Sequence, residues 1–217
     1  GSTRRSGGRR PHGVLDVRPF SGAAAGGLDA YISSLGRGPR RTMRKQVDAT
    51  FCAKGIVHEY RPVAAHALGW EHLAVCIAHQ RRQFRKCLPL GVILGLGRFL
   101  VARCMTGGLD EFWIRIPGDG DSCRSLVAWS QPIAKGKTLR GMWYYCLPEH
   151  DRSCIWFFTV RLNVGRALRA GLFHVDAGPS DNSSVAALKE KYGFQIDERW
   201  TSSYADGQRG QCGPLHE

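Results

Sequence analysis

Three side chains in the C-terminal third carry the most chemistry. Asp176 stands inside Leu172-Phe173-His174-Val175-Asp176-Ala177, an apolar run of strand length. A carboxylate buried there without a partner is costly. It therefore either accepts hydrogen bonds from amides of the loop at 178–182 or serves a site. Lys189 falls in the helix expected at 183–192, as a surface lysine or as a contact to an anion or substrate. Tyr192 can donate a proton, or pack against the strand that begins at Phe194. Glu149-His150-Asp151 gathers two carboxylates and an imidazole in one polar loop. Its plainer reading is a solvated loop whose acids favour the helix start that follows. His58 and Glu59 are neighbours on an expected strand, so only one of them faces any cleft. Trp143, Tyr144 and Tyr145 alternate in the same way, one face to the core and one to a cleft.

The chain that must position these groups has 217 residues, 43% hydrophobic and 23% charged, enough for a full core in one domain. Its longest uncharged apolar stretch, 87–97, stops at Arg98 and is too short to span a bilayer. Helices are expected at 30–35, 40–53, 71–86 and 90–104 and a strand at 56–63. The segment 90–104 is apolar nearly all round, which predicts a buried helix, with Gly91, Gly95 and Gly97 allowing close approach. A β-meander follows at 111–116, 125–134 and 138–147, with a turn at 118–121. Then come a helix at 154–170, a strand at 172–177, a helix at 183–192 and a strand at 194–200. The order predicts a mixed α/β (α+β) sheet flanked by helices. Residues 1–28 read as a basic extension or transit remnant, 29–200 as the domain and 201–217 as a polar tail.

The net charge is +13, and residues 1–50 hold ten basic and three acidic side chains. This favours an anionic partner for the N-terminal segment, either RNA or an acidic protein, with a solvated face of the basic helix as the plain alternative. No aromatics interleave with residues 40–45, so a base-stacking platform is not expected. The eight cysteines contain no CxxC pair, which argues against a zinc site. They read as buried free thiols of an intracellular, reducing compartment, cytoplasm or organelle lumen.

Two stretches carry a family resemblance. Asn182–Phe194, NSSVAALKEKYGF, resembles the last helix of the GNAT acyltransferase superfamily, in which an Asn opens the helix and Gly-Phe closes it. The run DAYISSLGRGPRRTMRKQ, followed by Gly55 and IVHEYRPV, is similar to the N-terminal part of FemAB-like and BioF2-like members. GLFHVDAG at 171–178 and Lys189 before Gly193-Phe194 also resemble that subgroup.

The resemblance implies a mostly antiparallel GNAT-like sheet with a V-shaped splay. It implies an N-acyltransferase that moves an acyl or aminoacyl group to an amine, with Asp176, Lys189 and Tyr192 as catalytic candidates. Acyl-CoA or acetyl-CoA would be co-substrate, with no metal. Its pantetheine would lie along 138–147 and its phosphates at the helix start that follows. Tyr145, Cys146, Leu147, Arg152, Ser153 and Asn182 are the binding candidates. Strands 138–147 and 172–177 would run parallel and diverge near Cys146 and Asp176. Tyr145, Leu147, Asp176, Asn182 and Lys189 would then line one concavity. At the phosphate loop the sequence departs from the common pattern: LPEHDRS at 147–153 has no glycine and two acids. FemAB-like relatives with other donors share that departure. So would a non-catalytic GNAT-like subunit of a larger, organellar or RNA-containing assembly.

Overall fold

The computed structural model describes residues 11–22, 25–62, 68–84, 86–104, 110–117, 124–180, 182–197 and 200. The expected turn at 118–121 and the tail at 201–217 lie outside the described residues. The strands are His12–Asp16 (β1), Val57–Pro62 (β2), Asp110–Pro117 (β3), Arg124–Lys135 (β4), Thr138–Cys146 (β5), His174–Pro179 (β6) and Gln195–Asp197 (β7). The helices are Gly27–Ser34 (α1), Arg37–Arg41 (α2), Val47–Ala53 (α3), Trp70–Gln83 (α4), Leu88–Cys104 (α5), Ile155–Arg169 (α6) and Ser183–Lys191 (α7). A π-helical turn, Thr42–Gln46, joins α2 to α3.

All seven strands form one sheet in the order β2-β3-β4-β5-β6-β1-β7. The meander β2 to β5 is antiparallel throughout, as is the group β6, β1 and β7. The two groups meet in the parallel pair β5–β6. A parallel pair needs a crossover connection, and α6 supplies it. One face of the sheet carries α6 with α1 and α3. There Tyr31, Val164, Leu139, Val175 and Phe194 share one apolar cluster, while Ile155, Phe158, Val127 and Val47 share the next. The opposite face of β4 and β5 is covered by α4 and α5, through Cys76, Phe99, Trp129 and Tyr145.

Two expectations are corrected. The segment 12–16 is not extension: β1 inserts between β6 and β7 and buries Val14 and Leu15. Two neighbours satisfy its backbone on both edges, which outweighs its Gly- and Arg-rich flanks. Nor is α5 buried all round. Gly91 and Gly95 press it onto α4, but Leu90, Ile93, Leu96 and Leu100 face outward and are exposed. The thiols also divide: Cys76 and Cys146 are buried, whereas Cys52, Cys87 and Cys104 are exposed. In the basic helix, Arg40 donates to the Leu35 carbonyl and Arg44 to Ser33 Oγ, so both brace α1.

A Cβ added at Gly95 would lie 2.8 Å from Ile77 Cα, whereas one at Gly97 would meet nothing. Gly95→Ala is therefore expected to destabilise by about 1–3 kcal/mol through forced separation of α4 and α5. Gly97→Ala should stabilise by about 0.5–1 kcal/mol, since only helix-interior backbone entropy changes. Urea denaturation of the two variants reads both signs.

Candidate functional site

The sheet opens at its centre. Pairing between β5 and β6 runs only over Thr138↔His174, Leu139↔Val175 and Arg140↔Asp176. Beyond Arg140 the two strands part, so the inner edges of the V lie at 141–146 and 177–179. The divergence therefore begins at Arg140 and Asp176, a full six residues before Cys146.

Asp176 marks the vertex. Its carboxylate is fully buried and gathers donors from four directions. Gly178 N–H donates at 2.7 Å, Trp200 Nε1 at 3.1 Å and His12 Nδ1 at 3.0 Å, and Arg140 Nε stands 3.8 Å away. Gly178 reaches it through a left-handed turn, φ 78°, which glycine adopts without strain. A carboxylate can only accept, so the bond fixes the hydrogen of His12 on Nδ1 and leaves the lone pair on Nε2. The His12 side chain keeps 10% of its surface exposed. An aspartate that sets an imidazole's tautomer in this way is the arrangement that serves general-base chemistry.

Lys189 approaches the same turn from the other side of the sheet. Leu15 and Val175 are paired and face the α6 layer, so Asp176, Val14 and His12 face away from it. The Lys189 stem lies on Gly13, on the Leu15 face, and its Nζ donates to the carbonyls of Gly178 at 2.7 Å and Pro179 at 2.8 Å. Asp176 thus holds the amide of Gly178, and Lys189 holds its carbonyl. Tyr192 also belongs to the α6 side. It stacks on Phe157 at 5.0 Å and its carbonyl accepts from Tyr31 Oη, and burial raises its phenol pKa.

The proposed binding residues divide among three places rather than one concavity. Tyr145 is buried against Trp129 and His79 beneath α4, and burial pushes its phenol far up. Cys146 points into the opposite layer, its thiol pushed up to about 11 by burial, and Leu147 is wedged between both clusters. Asn182 caps α7 through Val185 N–H at 2.9 Å. The resemblance placed Tyr145 beside Asp176; the bulge in β5 between its Arg140 and Trp143 pairings does turn Tyr145 to the face of Asp176, but the two strands part at Arg140, so Tyr145 packs under α4 instead. The side chain of Trp143 lies outside the described residues.

At the start of α6, Arg152 is exposed while Ser153 is buried and its Oγ accepts from Lys54 Nζ at 2.7 Å. Asp151 pairs with Arg82. Cys154 is the N-cap of α6, at φ 59°, the one left-handed non-glycine among the described residues. Beside it a groove of about 560 Å³ is lined by Gln46, Thr50, Lys54 and Cys154. Lys54 and the first amides of α6, which the helix's own carbonyls do not satisfy, border this groove. Among the described residues no group of three or more His, Cys, Asp or Glu is placed to hold a metal ion. Sequence reasoning missed His12, whose signal was only the short apolar alternation around Val14 and Leu15.

Burial lowers the pKa of His58, His79, His150 and His174. The unfolded chain then binds more protons than the folded one once the pH falls below the ordinary imidazole value of 6.5. Stability should be level above that pH and decline on acidification through the lowered values. The carboxylates of Asp16 and Asp48, held down by Arg18 and Arg161, act only in the separate window below 3.8. Melting temperature against pH should show the first decline, and His79→Gln should make it shallower.

Removing the clamp from the α6 side has its own signature. Lys189→Met keeps the stem on Gly13 but leaves two carbonyls without their donor, at a cost of about 1–3 kcal/mol. Thermal unfolding of this variant measures that loss.

No protein-family model and no curated protein matches the sequence. Solved structures do match. FemX superposes with a TM-score of 0.58 at 9% identity, over 87% of this chain and 60% of its own. A conserved protein of unknown function from Bacteroides thetaiotaomicron gives 0.53 at 10% identity, over 87% of this chain and 57% of its own. The C-terminal domain of a protein named as a lysylphosphatidylglycerol synthetase, from Agrobacterium fabrum, gives 0.52 at 11%, over 87% and 57%. This chain spans 57–60% of the length of these solved chains. With its mixed sheet, α6 crossover and central splay, the chain has a GNAT-like fold of the FemAB kind.

Proposed function

We propose that the chain is a FemAB-like N-acyltransferase. It moves an acyl or aminoacyl group from a thioester such as acyl-CoA or acetyl-CoA, or from another activated donor, to an amine. The observation that carries this reading is the Asp176–His12 pair at the point where the sheet opens. The fold shared with FemX supports it. The name of the Agrobacterium fabrum protein, lysylphosphatidylglycerol synthetase, supports an aminoacyl donor.

His12 Nε2 takes a proton from the amine as its nitrogen bonds to the donor's carbonyl carbon. Asp176 steadies the imidazolium through Nδ1–H and acts as a positioning residue. As the tetrahedral intermediate collapses, the bond from carbon to the leaving sulfur or oxygen breaks. His12 returns the proton to that leaving group. The inner edge of β5 beyond Arg140 has no partner strand across the V, and an extended donor would lie along it. Its phosphates would reach Lys54 and the start of α6. Lys189 keeps the Gly178 turn, and hence Asp176, in place.

The glycine-free loop favours a second reading, a GNAT-like structural subunit. Its Asp151 is engaged with Arg82, and Lys54 with Ser153, so both of these cations already have protein partners. Calorimetric titration with acetyl-CoA, a longer acyl-CoA and lysyl-tRNA, followed by single-turnover transfer to lysine amide, separates the two. Binding and transfer of at least one donor are expected. His12→Gln and Asp176→Asn should each lower kcat by about 10²–10⁴ with little change in KM. No binding and no transfer with any of the three donors would leave the structural reading.

A further inference from the structure

We infer that the outer face of α5 is a docking surface for an anionic lipid bilayer, lying in the plane of the headgroups. This goes beyond the proposed transfer reaction. The helix has 17 residues, about 25 Å at 1.5 Å per residue. Its buried side is narrow: Gly91, Gly95, Phe99 and Ala102 fall on one stripe against α4 and the sheet. The remaining arc is apolar. Leu90, Ile93, Leu96, Leu100 and Val101 all stand on it, with Ile93 65% exposed. Such a contiguous patch is uncommon on a surface that meets only water.

The contacts on the buried side fix which face points outward. A Cβ at Gly91 would lie 2.8 Å from Arg81 Cα, as one at Gly95 would from Ile77 Cα. Rotating α5 to hide its leucines is therefore blocked by the α4 backbone.

The charge around the patch selects the occupant. Between Glu71 and Asp110 the sequence has no acidic residue and six cations: Arg81, Arg82, Arg85, Lys86, Arg98 and Arg103. Arg81, Lys86 and Arg103 are exposed beside the apolar arc. Arg82 is taken by Asp151, and Arg98 stands exposed on α5. A second copy of this face would bring cations against cations, since the one carboxylate of the hairpin, Glu71, is engaged by Arg115. Anionic headgroups over acyl chains complement both parts of the surface, the apolar arc and its basic rim. No described helix is long and apolar enough to cross a membrane, so α5 would lie on the bilayer rather than span it.

Vesicle flotation with the full chain tests this. Vesicles of equal parts phosphatidylcholine and phosphatidylglycerol should retain the protein about tenfold or more better than phosphatidylcholine alone, with loss at high salt. Ile93→Glu/Leu100→Glu should lower that retention by about tenfold or more with an unchanged melting temperature. Arg81→Glu/Lys86→Glu, which leaves the apolar arc intact, should lower it similarly and serves if the first variant does not fold. Equal retention on both vesicle types, or retention unaffected by either variant, would overturn the inference. So would light scattering that shows a dimer dissociated by Ile93→Glu in a protein that vesicles do not retain.

Discussion

A single buried carboxylate holds the two halves of this sheet together. The ladder between β5 and β6 is three residue pairs long, too short to fix two antiparallel groups by itself. Asp176 closes its last pair and draws in His12 from β1, Gly178 from its own strand's turn, Trp200 from beyond β7 and Arg140 from β5. A buried charge is tolerable only when donors surround it. The same requirement that makes Asp176 demanding thus makes it an organiser of four separate segments.

The rest of the architecture follows from that point. The crossover helix α6 fills one face and leaves the parallel strands free to part beyond Arg140. Lys189 reaches through from α7 and fixes the far side of the Gly178 turn. The carboxylate therefore sits between rigid neighbours, and the imidazole it orients inherits that rigidity. Precise placement of a base contributes to rate in the same way that placement of substrates does. The wide opening beside it needs no glycine-rich loop to form, since it arises from strand divergence.

Much of this was legible in the chain. The meander was marked by its alternating strands and the turn at Gly136. The cap at Asn182 and the Gly-Phe ending marked α7. The value of Asp176 was legible because a carboxylate in an apolar strand needs partners. His12 was not. Its strand is five residues long, sits among arginines and glycines, and is paired only with segments more than 150 residues away. Local composition carries no trace of such partners. The separation of Tyr145 from Asp176 was hidden for a similar reason, because the point at which β5 parts from β6 is set by tertiary packing and leaves no mark in either strand's own residues. For α5, apolar residues all round implied burial, but composition does not say which neighbours exist to cover them.

The claim at the centre of this account is that Asp176 fixes His12 with its hydrogen on Nδ1, leaving Nε2 as the base. Long-range ¹⁵N–¹H correlation on the neutral imidazole rings of the full chain reads this directly. His12 should show a protonated Nδ1 and an unprotonated Nε2. A His12 ring protonated at Nε2, with a bare Nδ1, would contradict it.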